Sequence, residues 1–254
     1  MDMVGEISHE LARHEIDLLL IADDDLADKH SYMRMVQSRR VDALIVAHTL
    51  DQDPRLTQLQ NAGFPFLALG RSQLPKPYAW FDFDNYAGTY RATRWLIDKG
   101  HQRIALLGEN NSQAFITQRR LGYLDALCEA GLSSEWLRAM PPSRRAGYTA
   151  TLELLSLPNP PTAIVTDCNT HGDGAAMALA QQGRLTGRDA VSLVVYDGLP
   201  QDSIVEADVA AVIQSTREGV GKQIADMVRQ LINGENISQL QVLWQPEFSP
   251  GQTA

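Results

Sequence analysis

Short, uninterrupted apolar runs alternate with helix-patterned segments along almost the whole of this 254-residue chain. The runs fall at 16–22 (IDLLLIA), 41–47, 64–70, 78–84, 103–107, 162–166, 191–195, 210–214 and 240–244. Segments of helical pattern lie at 28–40, 54–63, 84–100, 116–130, 145–156, 170–183 and 216–233. Strands that alternate with helices predict parallel sheets joined by right-handed crossovers. Strands that are apolar throughout, rather than at every second residue, predict cover on both faces. The expected fold class is therefore α/β, with doubly wound parallel sheets.

Local signals place the boundaries. Tyr32, Met35 and Val36 share one face at helical spacing. Gly63 and Gly100 stand where helices should stop, and Asp84 where one should be capped. The stretch RSQLPKPYA at 71–79 reads as a surface linker. One feature breaks the pattern. The chain opens on a helix, expected over 1–14, with Met3, Val4, Ile7 and Leu11 as its apolar stripe. In a doubly wound sheet the strand before the first helix is central. Without it, the neighbouring strands expose backbone groups. The sequence therefore predicts a first lobe that lacks its first strand.

Composition narrows the function. A net charge of −9 makes the chain a poor general binder of nucleic acid. No apolar run approaches the roughly 18 residues of a membrane span, and MDMVGEISHELARHE is not a secretory signal. Cys128 and Cys168 have no metal-ligand spacing and suit a reducing, cytoplasmic compartment. Six scattered histidines (9, 14, 30, 48, 101 and 171) form no HExxH or HxH. Neither metal nor cofactor is expected. GxSxG, GxxxxGK[ST] and a post-strand GxGxxG are all missing, so binding is favoured over catalysis.

Polar residues that end apolar strands are the candidate ligand contacts, because parallel sheets bind ligands outside the carboxyl ends of their strands. Arg119 follows a strand and loop. It can fork onto ligand oxygens or stand solvated at a helix start, the plainer reading for Arg120 beside it. Asp197 can accept from two hydroxyls or simply make a turn before Gly198. Arg71 and Gln214 hold the same kind of position, and Asn169 can bind ligand or cap a helix. Tyr196, Gln113 and Phe115 complete the set. The run Asp23-Asp24-Asp25 reads as a cap and solvated loop rather than a metal site. Gly100-His101 reads as a helix stop with a capping or surface imidazole.

These residues also carry a resemblance. FDFDNYAGTYRATRWLIDKGHQRIALLG (81–108) resembles the DN-x-x-G…L-I-x-x-G-H-x-x-I-A-x-L-G signature of the lactose/galactose repressor (LacI/GalR) family. RRLGYLDAL (119–127), PPTAIVTDCNTHGDGAAMAL (160–179) and VSLVVYDGLP (191–200) are similar to its later segments, in order. The resemblance implies a type I periplasmic-binding-protein-like fold: two lobes around a ligand cleft, with the DNA-binding headpiece absent here. It implies an N-terminal lobe of 1–82 plus 215–240 and a C-terminal lobe of 83–214 plus 241–254. It implies a homodimer that binds a small-molecule effector, most simply a sugar, and meets operator DNA only through the headpiece. Arg119, Asp197, Arg71 and Gln214 match the family's ligand-facing positions. There are departures. Cys168-Asn169 stand for Asn-Asp, Gly70 for the Asp of the Asp-Arg pair, Pro141-Pro142 for an aromatic, and Gly198 for the second Asp. An exported solute-binding protein of a transporter is the alternative with the same fold, and an enzyme on a Rossmann-like fold is the third reading.

Overall fold

The computed structural model describes residues 3–21, 31–214 and 219–254. The chain divides into two compact units, 1–82 with 215–243 and 83–214 with 244–254.

The smaller unit begins with α1 (Met3–Ala12) and α2 (Ser31–Gln37), followed by β1 (Leu44–Val46). Asp53 then caps α3 (Pro54–Asn61) by accepting from the Arg55 N–H, and Pro54 supplies the preset φ of the first helical residue. Next come β2 (Phe66–Leu69) and β3 (Ala79–Phe83). β1 and β2 pair in parallel, as do β2 and β3.

The larger unit is a run of βα units: α4 (Asn85–Asp98), β4 (Ile104–Glu109), α5 (Ala114–Glu129), β5 (Leu137–Met140), α6 (Arg144–Leu155), β6 (Ala163–Thr166), α7 (Asn169–Gln181), β7 (Ser192–Tyr196) and β8 (Ala210–Ile213). α8 (Val220–Ile232) then packs on α1 in the smaller unit. β9 (Gln241–Trp244) lies beside β3, completing the order β1-β2-β3-β9. β10 (Glu247–Ser249) returns to the larger sheet, whose order is β10-β8-β7-β6-β4-β5. All its neighbours are parallel except β10, which runs antiparallel to β8.

Helices cover both faces of the larger sheet. One cluster packs Ala105, Leu107, Ile164 and Val195 with α6 and α7; the other packs Ile104, Leu106, Val165 and Val194 with α4 and α5. This is what strands apolar at every position require. Two helix pairs touch through glycines. A Cβ at Gly122 would lie 2.3 Å from the Tyr86 carbonyl oxygen, and one at Gly174 would lie 2.0 Å from that of Arg144.

Four expectations are corrected. Residues 17–21 form no strand, and Leu19 and Leu20 are exposed. Apolarity alone suggested a strand there, but nothing among the described residues pairs with the segment. β5 and β10 were not expected. β5 is a four-residue edge strand, only partly buried, and too polar to read as a core run. The expected boundary at 240 moves to 243, because most of β9 belongs with the smaller unit. The 71–79 stretch is a loop, but not a loose one: buried Tyr78 donates to the Ser72 carbonyl at 2.7 Å and accepts from the Ser72 N–H at 2.6 Å. The acidic run Asp23-Asp24-Asp25 lies outside the described residues.

Candidate functional site

The parallel strands of the larger unit end on a cluster of polar side chains. Asn85 is at its centre. Asp84 caps α4 by accepting from the Ala87 N–H at 3.0 Å, which leaves Asn85 as the first helical residue, buried and directed at the strand ends. Its Nδ2 donates to the Phe83 carbonyl at 2.9 Å. Its Oδ1 accepts from Arg119 Nε at 2.9 Å, Gln214 Nε2 at 3.1 Å and the Tyr196 hydroxyl at 3.3 Å. One amide oxygen thus gathers three side chains from α5, the end of β8 and the end of β7.

Arg119 is only 5% exposed. Its Nη1 donates to the Asp167 carbonyl, and its guanidinium carbon lies 3.5 Å from the Tyr196 ring centroid and 4.8 Å from that of Phe115. Cation–π stacking and fixed acceptors hold the planar fork in one orientation. Two of its five N–H groups go to Asn85 and Asp167, so donors remain for a ligand. The sequence left open a fork onto ligand oxygens or a solvated arginine at a helix start. Instead it is built into the wall of the site, because its neighbours at the strand ends are aromatic and amide groups.

Asp197 stands at the end of β7 with φ of 66°, in the left-handed region, followed by Gly198 at 68°. An aspartate tolerates this conformation better than a branched residue. The turn presents the carboxylate to solvent while its backbone N–H donates to the Val212 carbonyl at 2.7 Å. Although the side chain is exposed, protein surrounds it closely enough for desolvation to raise its pKa. Arg119 and the Gln214 N–H, 3.4 Å from Oδ1, oppose that rise. Desolvation also raises the Tyr196 hydroxyl, keeping it a neutral donor. Asn169 opens α7, half-buried, and its side chain makes no hydrogen bond among the described residues. Gln113 stands at the N-cap position of α5, and its N–H donates to Asn111 Oδ1 at 3.1 Å.

The structure therefore brings together Arg119, Tyr196, Gln214, Asp197 and Phe115. Arg71 belongs to the smaller unit, where its Nε donates to Asp82 Oδ2 at 2.9 Å and its guanidinium lies 5.7 Å from the Trp80 ring centroid. Arg120 faces elsewhere and donates to the Glu109 carbonyl at 3.1 Å. Three participants escaped sequence reasoning: Asn85, Asp167 and His171. Asn85 was visible as the second residue of the DN signature but was read only as part of a helix start. Asp167 and His171 are four residues apart, a carboxylate–imidazole pair that a search for paired histidines such as HExxH does not test. With Cys168 they place one potential metal-ligand atom each within 4.8 Å of one another. Sequence spacing had suggested no such grouping.

The sequence from 1 to 247 matches the family profile described as periplasmic binding proteins and sugar binding domain of the LacI family. The chain belongs to the LacI family. It is 65% identical over 253 residues to the HTH-type transcriptional regulator RafR of Escherichia coli, covering 100% of this chain and 75% of RafR. A Yersinia pestis biovar Microtus protein assigned as a transcriptional regulator superposes with a TM-score of 0.95 at 50% identity, over 99% of this chain and 90% of that one. A LacI-family regulatory protein from Chloroflexus aggregans gives 0.87 at 28% identity, over 99% and 91%. The fold is the type I periplasmic-binding-protein-like fold of LacI-family structures. The chain covers the effector-binding domain of such regulators, and its relatives are regulators rather than transporter components or enzymes. No helix among the described residues is long and apolar enough to cross a membrane.

Proposed function

We propose that this LacI-family domain senses a small, uncharged, polyhydroxylated ligand, a sugar, at the strand ends of its larger unit. The observation that carries this reading is the pairing of a fixed, stacked Arg119 fork with the acceptor-only Asp197 carboxylate at the end of β7, close enough for the two charges to act on each other. A guanidinium only donates and a carboxylate only accepts, whereas a hydroxyl does both. One sugar can therefore satisfy both groups without carrying charge. Asn169, Gln214 and Tyr196 add donors and acceptors at the same end, and the Phe115 ring adds an apolar face.

In the whole regulator, occupancy of this site changes affinity for operator DNA through a helix-turn-helix segment of the kind the HTH-type relatives are named for. Ligand and DNA must then favour different states, a coupling of typically ~1–3 kcal/mol. The working form is a homodimer in the cytoplasm. A thermal-shift screen against sugars, with nucleosides and purine bases as the competing class, tests the reading. A ligand at about 100 times its Kd stabilises the folded chain by about 2.7 kcal/mol. A sugar should raise the unfolding temperature, and Asp197→Ala should abolish the rise. Stabilisation by nucleosides or purines alone would overturn it.

A further inference from the structure

His171 is fully buried, and both of its ring nitrogens face acceptors. Nδ1 lies 3.2 Å from Asp167 Oδ1, and Nε2 lies 2.9 Å from the Pro141 carbonyl oxygen. A neutral imidazole has one N–H and can serve only one of these contacts. Asp167 is buried too, and its other oxygen, Oδ2, accepts from the Glu109 N–H at 2.6 Å. Two acceptors on one ring and a carboxylate accepting at both oxygens are satisfied together when the ring carries both protons. The arrangement is then an imidazolium–carboxylate ion pair.

The position of this pair gives it a consequence. Asp167 follows β6, Pro141 follows β5, and Glu109 ends β4, so the pair ties the carboxyl ends of three adjacent strands. The same Asp167 that holds His171 by its side chain holds Arg119 by its carbonyl. Close approach of α6 to α7 sets the ring in place: a Cβ at Gly147 would lie 2.4 Å from the His171 carbonyl oxygen. We propose that the His171–Asp167 ion pair is a positioning element of the effector site, fixing the Asp167 carbonyl on which the Arg119 fork rests. The inference deepens the sugar-sensing reading and rests on it for its purpose, but the pair can be tested without any ligand.

Charged and titratable neighbours fit the assignment. Cys168 and Asp167 lie on the β6–α7 side, Glu109 at the end of β4 and Arg119 on α5. Arg144 of α6 is already occupied by Asp173, its Nε 2.6 Å from Oδ2. The Asp167 carboxylate and the Pro141 carbonyl favour the imidazolium enough to outweigh desolvation, the largest single influence, and to raise its pKa. Asp167, Cys168 and His171 could instead hold a divalent metal, with Pro141 orienting the ring. That reading needs the Nδ1 proton gone, whereas here Nδ1 already faces a carboxylate at hydrogen-bond distance.

Long-range 1H–15N NMR of the histidine rings in the whole chain decides between these. At about pH 8 ordinary histidines are neutral. One ring, assigned to His171 by its loss in His171→Gln, should still carry protons on both nitrogens. It should lose one of them in Asp167→Asn. In that variant the Arg119 Nε–H and the Glu109 amide should also exchange with solvent about tenfold faster, as local opening becomes easier. Two outcomes would overturn the proposal: a singly protonated His171 in the wild-type chain at that pH, or added Zn2+ displacing its Nδ1 proton at stoichiometric concentration. Because the wild-type spectrum decides the protonation state, the test survives if a variant fails to fold. A positive ring spectrum with no sugar in the thermal-shift screen would leave the ion pair standing and fell the sugar reading instead.

Discussion

At the scale of single residues, the proposed site is built from side chains that are also part of its wall. Arg119→Ala removes one donor to Asn85 Oδ1, which keeps Gln214 and Tyr196, and takes from the buried Asp167 carbonyl its guanidinium partner. The loss costs about 1–3 kcal/mol of stability and a further, similar amount of ligand affinity, roughly 5- to 150-fold. Asp197→Asn keeps a residue that tolerates positive φ, so it should fold normally yet bind worse. Arg120→Ala, one position along, should bind as the wild type does. Calorimetry with the sugar found by thermal shift, alongside urea titrations, separates the three. Asp197 carries a further expectation. Its raised pKa means it is protonated at a higher pH than an ordinary aspartate. Affinity should therefore fall as pH drops towards the acidic range, earlier than the usual value of about 3.9 suggests. His101 titrates in the other direction. Partly buried beside Thr162 Oγ1 at 2.9 Å, its pKa is lowered by desolvation and then by Lys99. The folded state resists its protonation, so its contribution to stability is present above about pH 6.5 and is lost as pH falls through the lower folded-state value. His101→Asn should flatten that part of the stability–pH curve. Arg119, Asp197 and Gln214 could be named from sequence because strand ends are where such sheets bind ligands. Asn85 and His171 could not, because their roles come from partners 34 and 4 residues away that only the fold brings into contact.

At the scale of elements, continuous apolar runs located the buried parallel strands well, because burial on both faces demands such runs. The same signal misread 16–22 as a strand. It also missed β5 and β10, edge strands whose outer sides need no apolar cover. Helix contacts were equally hidden. α4 and α5 approach so closely that any side chain at Gly122 meets the Tyr86 carbonyl. Gly122→Ala should destabilise the chain by about 1–3 kcal/mol through overpacking. Leu121→Ala, at the exposed neighbouring position, should stay within about 0.5 kcal/mol of wild type. Urea midpoints of the two variants make the comparison. An equal effect would mean the helices can separate without loss.

At the scale of the molecule, a net charge of −9 sets how this chain meets DNA. It should show no tight, salt-sensitive, sequence-selective binding to operator fragments in gel-shift experiments, because counterion release needs a cationic surface. The last of the three passages of the chain between the units lies three residues later than expected, before the final residue of β9. The return of β10 carries a consequence of its own. It closes the open edge of β8, and shortly after it Thr253 seals the junction: its hydroxyl donates to the Leu193 carbonyl at 2.7 Å and accepts from the Ala210 N–H at 2.9 Å. The larger sheet thus joins residues 104–109 to residues 247–249, which are far apart in order of synthesis. During synthesis on the ribosome this unit cannot close until residues 247–253 have been added, and one edge of β8 stays unpaired for as long as α8 and β9 are still being made. A nascent chain in that interval offers a free strand edge to any neighbour, so crowded polysomes are where misdirected strand pairing is most to be expected.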